Sequence, residues 1–309
     1  MKIRLFFLLC LIAVSAVLSA NEKTVIPITT DNISLIYKVN DSNGRLYQSY
    51  LGQKLSFDSD IAQLPLGNEA YITHGMEDYF EPAIRVLHND GNPSLLLKYV
   101  SHESKQLQPG VNETVITLKD DKYPVEVKLY FIAYPKENII KEYAEISHQE
   151  KKPVTLYNYA SSLLHLNSGK YFLTEFSGDW AHEVNMKESE LSFGKKMLDT
   201  KLGSRANMFC SPFFLLALDR KAEENAGEVL FGTIGWTGNY RFTFEVDNEN
   251  SLRILSGINP YASEYSLKPN EVFRTPEFIF TYSAEGKGKA SRDFQRWARK
   301  YQLKDGEKS

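Results

Sequence analysis

Val125-Glu126-Val127-Lys128-Leu129-Tyr130-Phe131 alternates apolar and polar or amphipathic residues without a break. A strand points successive side chains to opposite faces, so Val125, Val127, Leu129 and Phe131 share one face and predict a half-buried strand. The same period recurs on both sides of it. Ile33, Leu35, Tyr37 and Val39 alternate with Ser34, Ile36 and Lys38; Phe242, Phe244 and Val246 alternate with Thr243 and Glu245; Phe278, Phe280 and Tyr282 alternate with Ile279 and Thr281. In each, the second set is expected to face water or a second layer. Turn chemistry separates these runs at Asp41-Ser42-Asn43-Gly44, Asp90-Gly91, Pro135 to Asn138, Thr237-Gly238-Asn239 and Pro269-Asn270. Many strands with hairpin-type turns and no helix between them predict an all-β, antiparallel sandwich rather than a parallel sheet.

One segment has a different period. From Ser291 to Leu303, Phe294, Trp297, Ala298 and Tyr301 recur at spacings of three and four, the stripe of an amphipathic helix. Ser291 is the expected N-cap, Asp293 suits the positive end of the helix dipole, and Arg296, Arg299 and Lys300 suit the other end. Ala284 to Lys289, with two glycines, reads as a flexible joint before it. A helix of about 13 residues needs a surface for its stripe. The expectation is therefore a docking element whose apolar face, Trp297 included, is under-covered.

The chain begins with Lys2 and Arg4, an apolar run from Leu5 to Leu18, and then Ser19-Ala20. This is the pattern of a secretory signal peptide over residues 1–20, with cleavage after Ala16 as an alternative to Ala20. The run is about 14 residues, short of the roughly 20 that span a bilayer, and no second span follows. A periplasmic or secreted location without a membrane span is expected. Lipidation at Cys10 is poorly served by the residues before it.

Composition is globular: 42% hydrophobic and 13% aromatic residues exclude a disordered chain. A net charge of −3 and no basic run argue against nucleic acid as a partner. With Cys10 in the leader, Cys210 stands alone and reads as a small buried hydrophobe beside Pro212 and Phe213. The histidines at 74, 88, 102, 148, 165 and 182 form no HxxxH pair, and there is no CxxC, so no metal is expected. Gly286 and Gly288 lack phosphate-loop spacing, no serine sits in a GxSxG elbow, and no cofactor is implied. The neighbouring acids Asp58/Asp60, Asp120/Asp121 and Glu223/Glu224 read as solvated surface.

Four stretches nevertheless form an ordered set. They are Gly75 to Ala83 with Asp78-Tyr79, leading to Asp90-Gly91 and Leu97 to His102; Ser177-Gly178-Asp179-Trp180-Ala181-His182-Glu183; Gly227 to Tyr240 with Gly235-Trp236-Thr237-Gly238-Asn239, running into Phe244 to Asp247; and Gly257-Ile258-Asn259-Pro260-Tyr261 with Leu267 to Glu271 and Thr275-Pro276-Glu277. In this order they resemble the N-terminal β-supersandwich domain of glycoside hydrolase family 36, the α-galactosidase family, over about residues 25 to 304. Their local roles are plainer: Thr237-Gly238-Asn239 reads as a hairpin turn, Gly257 and Pro260 bracket a strand end, and Thr275-Pro276 starts an edge strand. Trp180 reads as a loop-anchored aromatic packed on the sandwich, with an interface or sugar-platform role as the alternative. Phe80 and His182 stand where the family usually has arginine, which puts polar contacts at both places in doubt.

The resemblance implies a large galactose mutarotase-like supersandwich at residues 21–283 and a linker helix with a tail at 284–309. It also implies a catalytic (β/α)8 barrel beyond this chain, which carries the aspartate nucleophile and acid/base acting on terminal α-galactosides or oligosaccharides. The chain is thus expected to be a fragment or one half of a split gene, inactive alone, positioning the barrel and favouring a homo-oligomer. In some relatives a loop corresponding to about Ser56 to His74 reaches a neighbouring subunit. Interface or sugar-contact residues expected here are Asp78, Trp180, His182, Trp236 and Trp297, with none catalytic. Alternatives are a stand-alone sugar-binding module, or a mutarotase-like epimerase using His165, which also reads as a core histidine.

Overall fold

The computed structural model describes residues 24–76 and 79–308, so the expected leader at residues 1–20 and Asp78 lie outside the described residues. Strands β1 (Val25–Thr29), β2 (Ile33–Asn40), β3 (Arg45–Gln53) and β4 (Asn68–Glu69) form a four-stranded antiparallel sheet, with the short helix α1 (Asp58–Gln63) between the last two. Next come β5 (Ile84–Leu87), β6 (Leu97–Gln108), β7 (Val111–Asp120), β8 (Val125–Tyr134), β9 (Ile139–His148) and β10 (Val154–Asn167). They are followed by β11 (Tyr171–Ser177), β12 (Asn185–Glu190), β13 (Gly194–Asp199), β14 (Cys210–Leu218) and β15 (Glu228–Gly235). The last strands are β16 (Tyr240–Val246), β17 (Ser251–Ile258), β18 (Tyr265–Leu267), β19 (Val272–Arg274) and β20 (Glu277–Ser283), and helix α2 (Gly286–Tyr301) closes the order.

Two layers result. A ten-stranded sheet runs β12-β11-β14-β15-β20-β9-β8-β7-β6, with β19 beside β9. Facing it, a six-stranded sheet runs β13-β16-β17-β10-β18, with β5 beside β10. The four-stranded sheet extends this second layer, and Gln48 on β3 helps join them: it donates to the His165 carbonyl at 2.7 Å and accepts from the His165 amide at 3.0 Å, imitating a strand along β10. The predicted alternation fills the space between layers. Phe214 of the large sheet meets Phe242 and Phe244 of the facing sheet at ring distances of 5.2 and 4.8 Å, and Tyr37 meets Phe131 at 5.3 Å. The fold is an all-β antiparallel supersandwich with a C-terminal helix, as expected.

Alternation understated burial. Along β2 and β16 the second face is covered too: Ser34, Ile36 and Lys38 are buried, as are Thr243 and Glu245. Lys38 tolerates this because its Nζ donates to the Leu64 carbonyl at 2.7 Å, just past α1. Thr237-Gly238-Asn239 is not a hairpin turn. The strands it joins lie in different sheets, β15 between β14 and β20 and β16 between β13 and β17, so it crosses from one layer to the other.

The helix differs from expectation at its start. It begins at Gly286, so Ser291 is not its N-cap and Ala284 to Lys289 is not a joint. The amides of Gly286, Lys287 and Gly288 donate to the carbonyls of Gly227, Glu223 and Glu224, each at 2.9 Å. Otherwise orphaned helix N–H groups are thus satisfied by a loop far away in sequence. Gly286 has φ +82°, and a Cβ there would stand 2.5 Å from the Ala226 nitrogen. Asp293, expected in the first turn, lies in the second and is fully buried. It pairs with Lys289 at 2.7 Å and with Arg296, and accepts at 3.1 Å from Asn138, whose amide also donates to the Tyr282 carbonyl.

Trp297 is only 4% exposed. Its ring meets Tyr134 edge-on at 5.8 Å, Phe294 packs on Phe231 at 4.3 Å, and Ile132, Ile139, Tyr143 and Ile279 complete the cluster. The stripe expected to lie under-covered is buried on the outer face of the large sheet. Trp297 is therefore a core residue and not an interface contact: its own sandwich supplies the surface.

Candidate functional site

Strand polarity collects loops at one end of the sandwich. There β11 and β15 leave the large sheet and β14 enters it, while β13 and β17 leave the facing sheet and β16 enters it. Two motif asparagines staple these loops. Asn239 accepts from the Gly203 amide at 2.7 Å, and its carbonyl accepts from the Asn259 amide at 3.0 Å. Buried Asn259 donates from Nδ2 to the Thr200 carbonyl at 3.0 Å and to Asp199 at 3.1 Å, and its Oδ1 accepts from the Tyr261 amide. Cross-strand hydrogen bonding therefore explains why asparagine stands at 239 and 259. Sequence reading noticed both positions but assigned them only to a turn and a strand end.

Trp180 projects from this end. Asp179 and His182 exchange backbone hydrogen bonds of 3.2 and 3.0 Å, the Asp179 carboxylate accepts from the Trp180 amide at 2.7 Å, and Gly178 is tied to the Phe209 carbonyl. The turn forces Ala181 to φ +61° and Val184 to φ +55°, conformations costly to residues with a Cβ. At its tip Trp180 is 88% exposed, so it does not pack on the sandwich as its first reading expected. His182 is also exposed, held by its backbone. Phe209, Trp236 and Tyr261 add exposed aromatic surface at the same end. The structure thus brings Trp180, His182 and Trp236 together and takes Trp297 elsewhere.

The outer face of the facing sheet is polar toward its other end, where β13 starts and β16 finishes. Lys195 bridges Glu81 at 3.0 Å and Glu245 at 3.3 Å, and the Glu245 carboxylate also accepts from the Glu81 amide. The Arg253 guanidinium lies 3.2 Å from the centre of the Phe80 ring, so a cation–π contact occupies the place where a polar one is usual. A small cleft beside these groups is lined by Glu81, Pro82, Asn158, Tyr159, Arg241 and Gly257.

Two buried titratable groups lie apart from this end. Glu142 is sealed between the layers; burial pushes its carboxyl up to about 8, against a 2.7 Å hydrogen bond from Ser162 that acts the other way. His165 is buried, with Nε2 2.9 Å from the Glu69 carbonyl. Burial, helped by the Arg253 charge, lowers its pKa to about 4. A neutral core histidine committed to a backbone carbonyl does not favour the epimerase alternative. Cys210 is half-buried, and burial raises its thiol pKa, away from the range of a reactive thiolate. Among the described residues, no three His, Cys, Asp or Glu side chains cluster to hold a metal ion, and no helix is long and apolar enough to cross a membrane.

Comparison with known proteins gives these loops a context. The family model described as the glycosyl hydrolase family 36 N-terminal domain matches residues 41–268. Alpha-galactosidase 2 of Pediococcus pentosaceus is 29% identical over 262 residues, covering 80% of this chain and 35% of its own. Alpha-galactosidase C of Emericella nidulans is 24% identical, covering 88% of this chain and 39% of its own. Among solved structures, the alpha-galactosidase from Lactobacillus brevis superimposes with a TM-score of 0.82 at 22% identity, over 90% of this chain and 42% of that one. The chain therefore spans about two fifths of the length of the relatives it matches.

Proposed function

The chain belongs to the glycosyl hydrolase family 36 N-terminal domain family, and from that premise we propose that it is the non-catalytic sandwich of an α-galactosidase-type hydrolase, which positions a catalytic barrel. The observation that carries this reading is coverage: the match fills most of this chain and only 39% of the Emericella nidulans enzyme. The loop end, with Trp180 held out on a strained turn, is the face we assign to the barrel. Exposed tryptophan is among the residues that dominate protein interfaces. Asp199, at that end, is already engaged by Lys201 at 2.6 Å. Terminal α-galactosides as substrate, a homo-oligomeric assembly and export after cleavage near Asn21 belong to the same proposal. Mass spectrometry of protein from an exporting host tests the last: an intact Met1 on secreted chain would end it.

Docking is tested by titrating the chain against the separately produced catalytic portion of the Pediococcus pentosaceus relative. Trp180→Asp should weaken association at least tenfold while leaving the melting temperature of the isolated sandwich unchanged. Association indifferent to Trp180→Asp would remove this end as the docking face.

A further inference from the structure

The cleft on the outer face holds a cation that forms no ion pair among the described residues. Arg241 sits near the start of β16, opposite Gly257 of β17 and Asp199 of β13. Its Nε is closed to solvent and has no hydrogen-bond partner, and among the described residues its guanidinium forms neither an ion pair nor a hydrogen bond. Arg241 as a whole is half-buried, but an N–H sealed from water without a partner is costly, so such a group points to a ligand. The nearby acids are committed elsewhere: Glu81 and Glu245 share Lys195, and Asp199 turns to Lys201 and Asn259. Gly257 keeps the floor bare. A Cβ there would stand 3.1 Å from the Ser161 nitrogen and 3.2 Å from the Ala160 Cα, where β10 carries a bulge.

We propose that Arg241 and this cleft form a binding site for a carboxylate group. Guanidinium presents parallel N–H donors that match the two oxygens of a carboxylate. The cleft is small, about 30 Å³, where roughly 10–15 Å³ holds one water molecule. A carboxylate fits that space while its bearer stays outside. Pro82 and Tyr159 wall the cleft, and Tyr261, next in sequence to the lining Pro260, is exposed. Two sources share this chemistry, an acidic side chain of a packed protein segment and a free sugar acid. The site is independent of the docking proposal, because it concerns a group already unpaired within this chain.

The test follows the Arg241 Nε–H resonance by NMR on the full chain. Sodium acetate should move it saturably, and sodium chloride at equal ionic strength should not. Equal affinity for acetate and D-galacturonate assigns the site to side-chain carboxylates; much tighter binding of D-galacturonate assigns it to a sugar acid. Either result supports the site. A resonance unmoved by both carboxylates, or moved as much by chloride or by D-galactose, overturns it. So does an Asp199→Asn variant that shifts the resonance while acetate does not, since Arg241 would then be paired within the protein.

Discussion

Glu142 and His165 are sealed in the protein as neutral groups, and each ties stability to pH from its own side. Glu142 keeps its proton in the fold up to about pH 8, against an ordinary value of 4.5. As pH rises through that window the unfolded chain ionises and the folded one does not, so stability falls toward alkaline pH. His165 is displaced the other way, from 6.5 to about 4. As pH falls through that window only the unfolded chain gains the proton, so stability falls toward acid. Glu142→Gln should therefore raise the melting temperature more at pH 8 than at pH 5, and His165→Gln should flatten the decline between pH 6.5 and 4. Each unit of pKa shift corresponds to about 1.4 kcal/mol. Thermal scans across pH read both, and parallel curves for variant and wild type would contradict the burial argument. Of these two, sequence pointed to His165, through its apolar neighbours. Glu142 gave no signal: it shares a strand face with Ile140 and Ala144, but only the facing layer makes that position dry.

The C-terminal helix shows where periodicity stops being sufficient. Spacing identified Phe294, Trp297, Ala298 and Tyr301 as one face, and that face is the buried one. Its start was illegible, because two glycines argue against a helix and the carbonyls that cap it come from residues 223–227. Gly286→Ala should cost about 2–4 kcal/mol, combining a positive φ with backbone contacts under 3 Å. Gly288→Ala meets chiefly the exposed Glu224 side chain and should stay within about 1 kcal/mol, helped by alanine's helix propensity. Equal effects in urea titration would refute the capping account. Trp297→Ala should cost about 3–5 kcal/mol without altering self-association. A changed oligomeric state with unchanged stability would restore the under-covered helix. The crossing at Thr237-Gly238-Asn239 teaches the same lesson: alternation marks strands, but their pairing is set by distant partners.

At the scale of the molecule, alternation and turns made an antiparallel sandwich legible, and the ordered motifs made its family legible. The reason those motifs travel together was hidden until the chain folded. Asn239 and Asn259 lie 20 residues apart in sequence yet join three loops at one end, beside the turn that holds out Trp180. Residues spread from Trp180 to Tyr261 thus act as one surface, which no local pattern could announce. The Ser56 to His74 region carries α1 and covers Lys38.

The central claim, that this sandwich supports rather than performs catalysis, is tested most directly by assaying the purified chain for hydrolysis of an aryl α-galactoside. The account predicts no turnover above background. Turnover that co-purifies with the folded chain, and is lost when one of its own carboxylates is replaced by the corresponding amide, would contradict it.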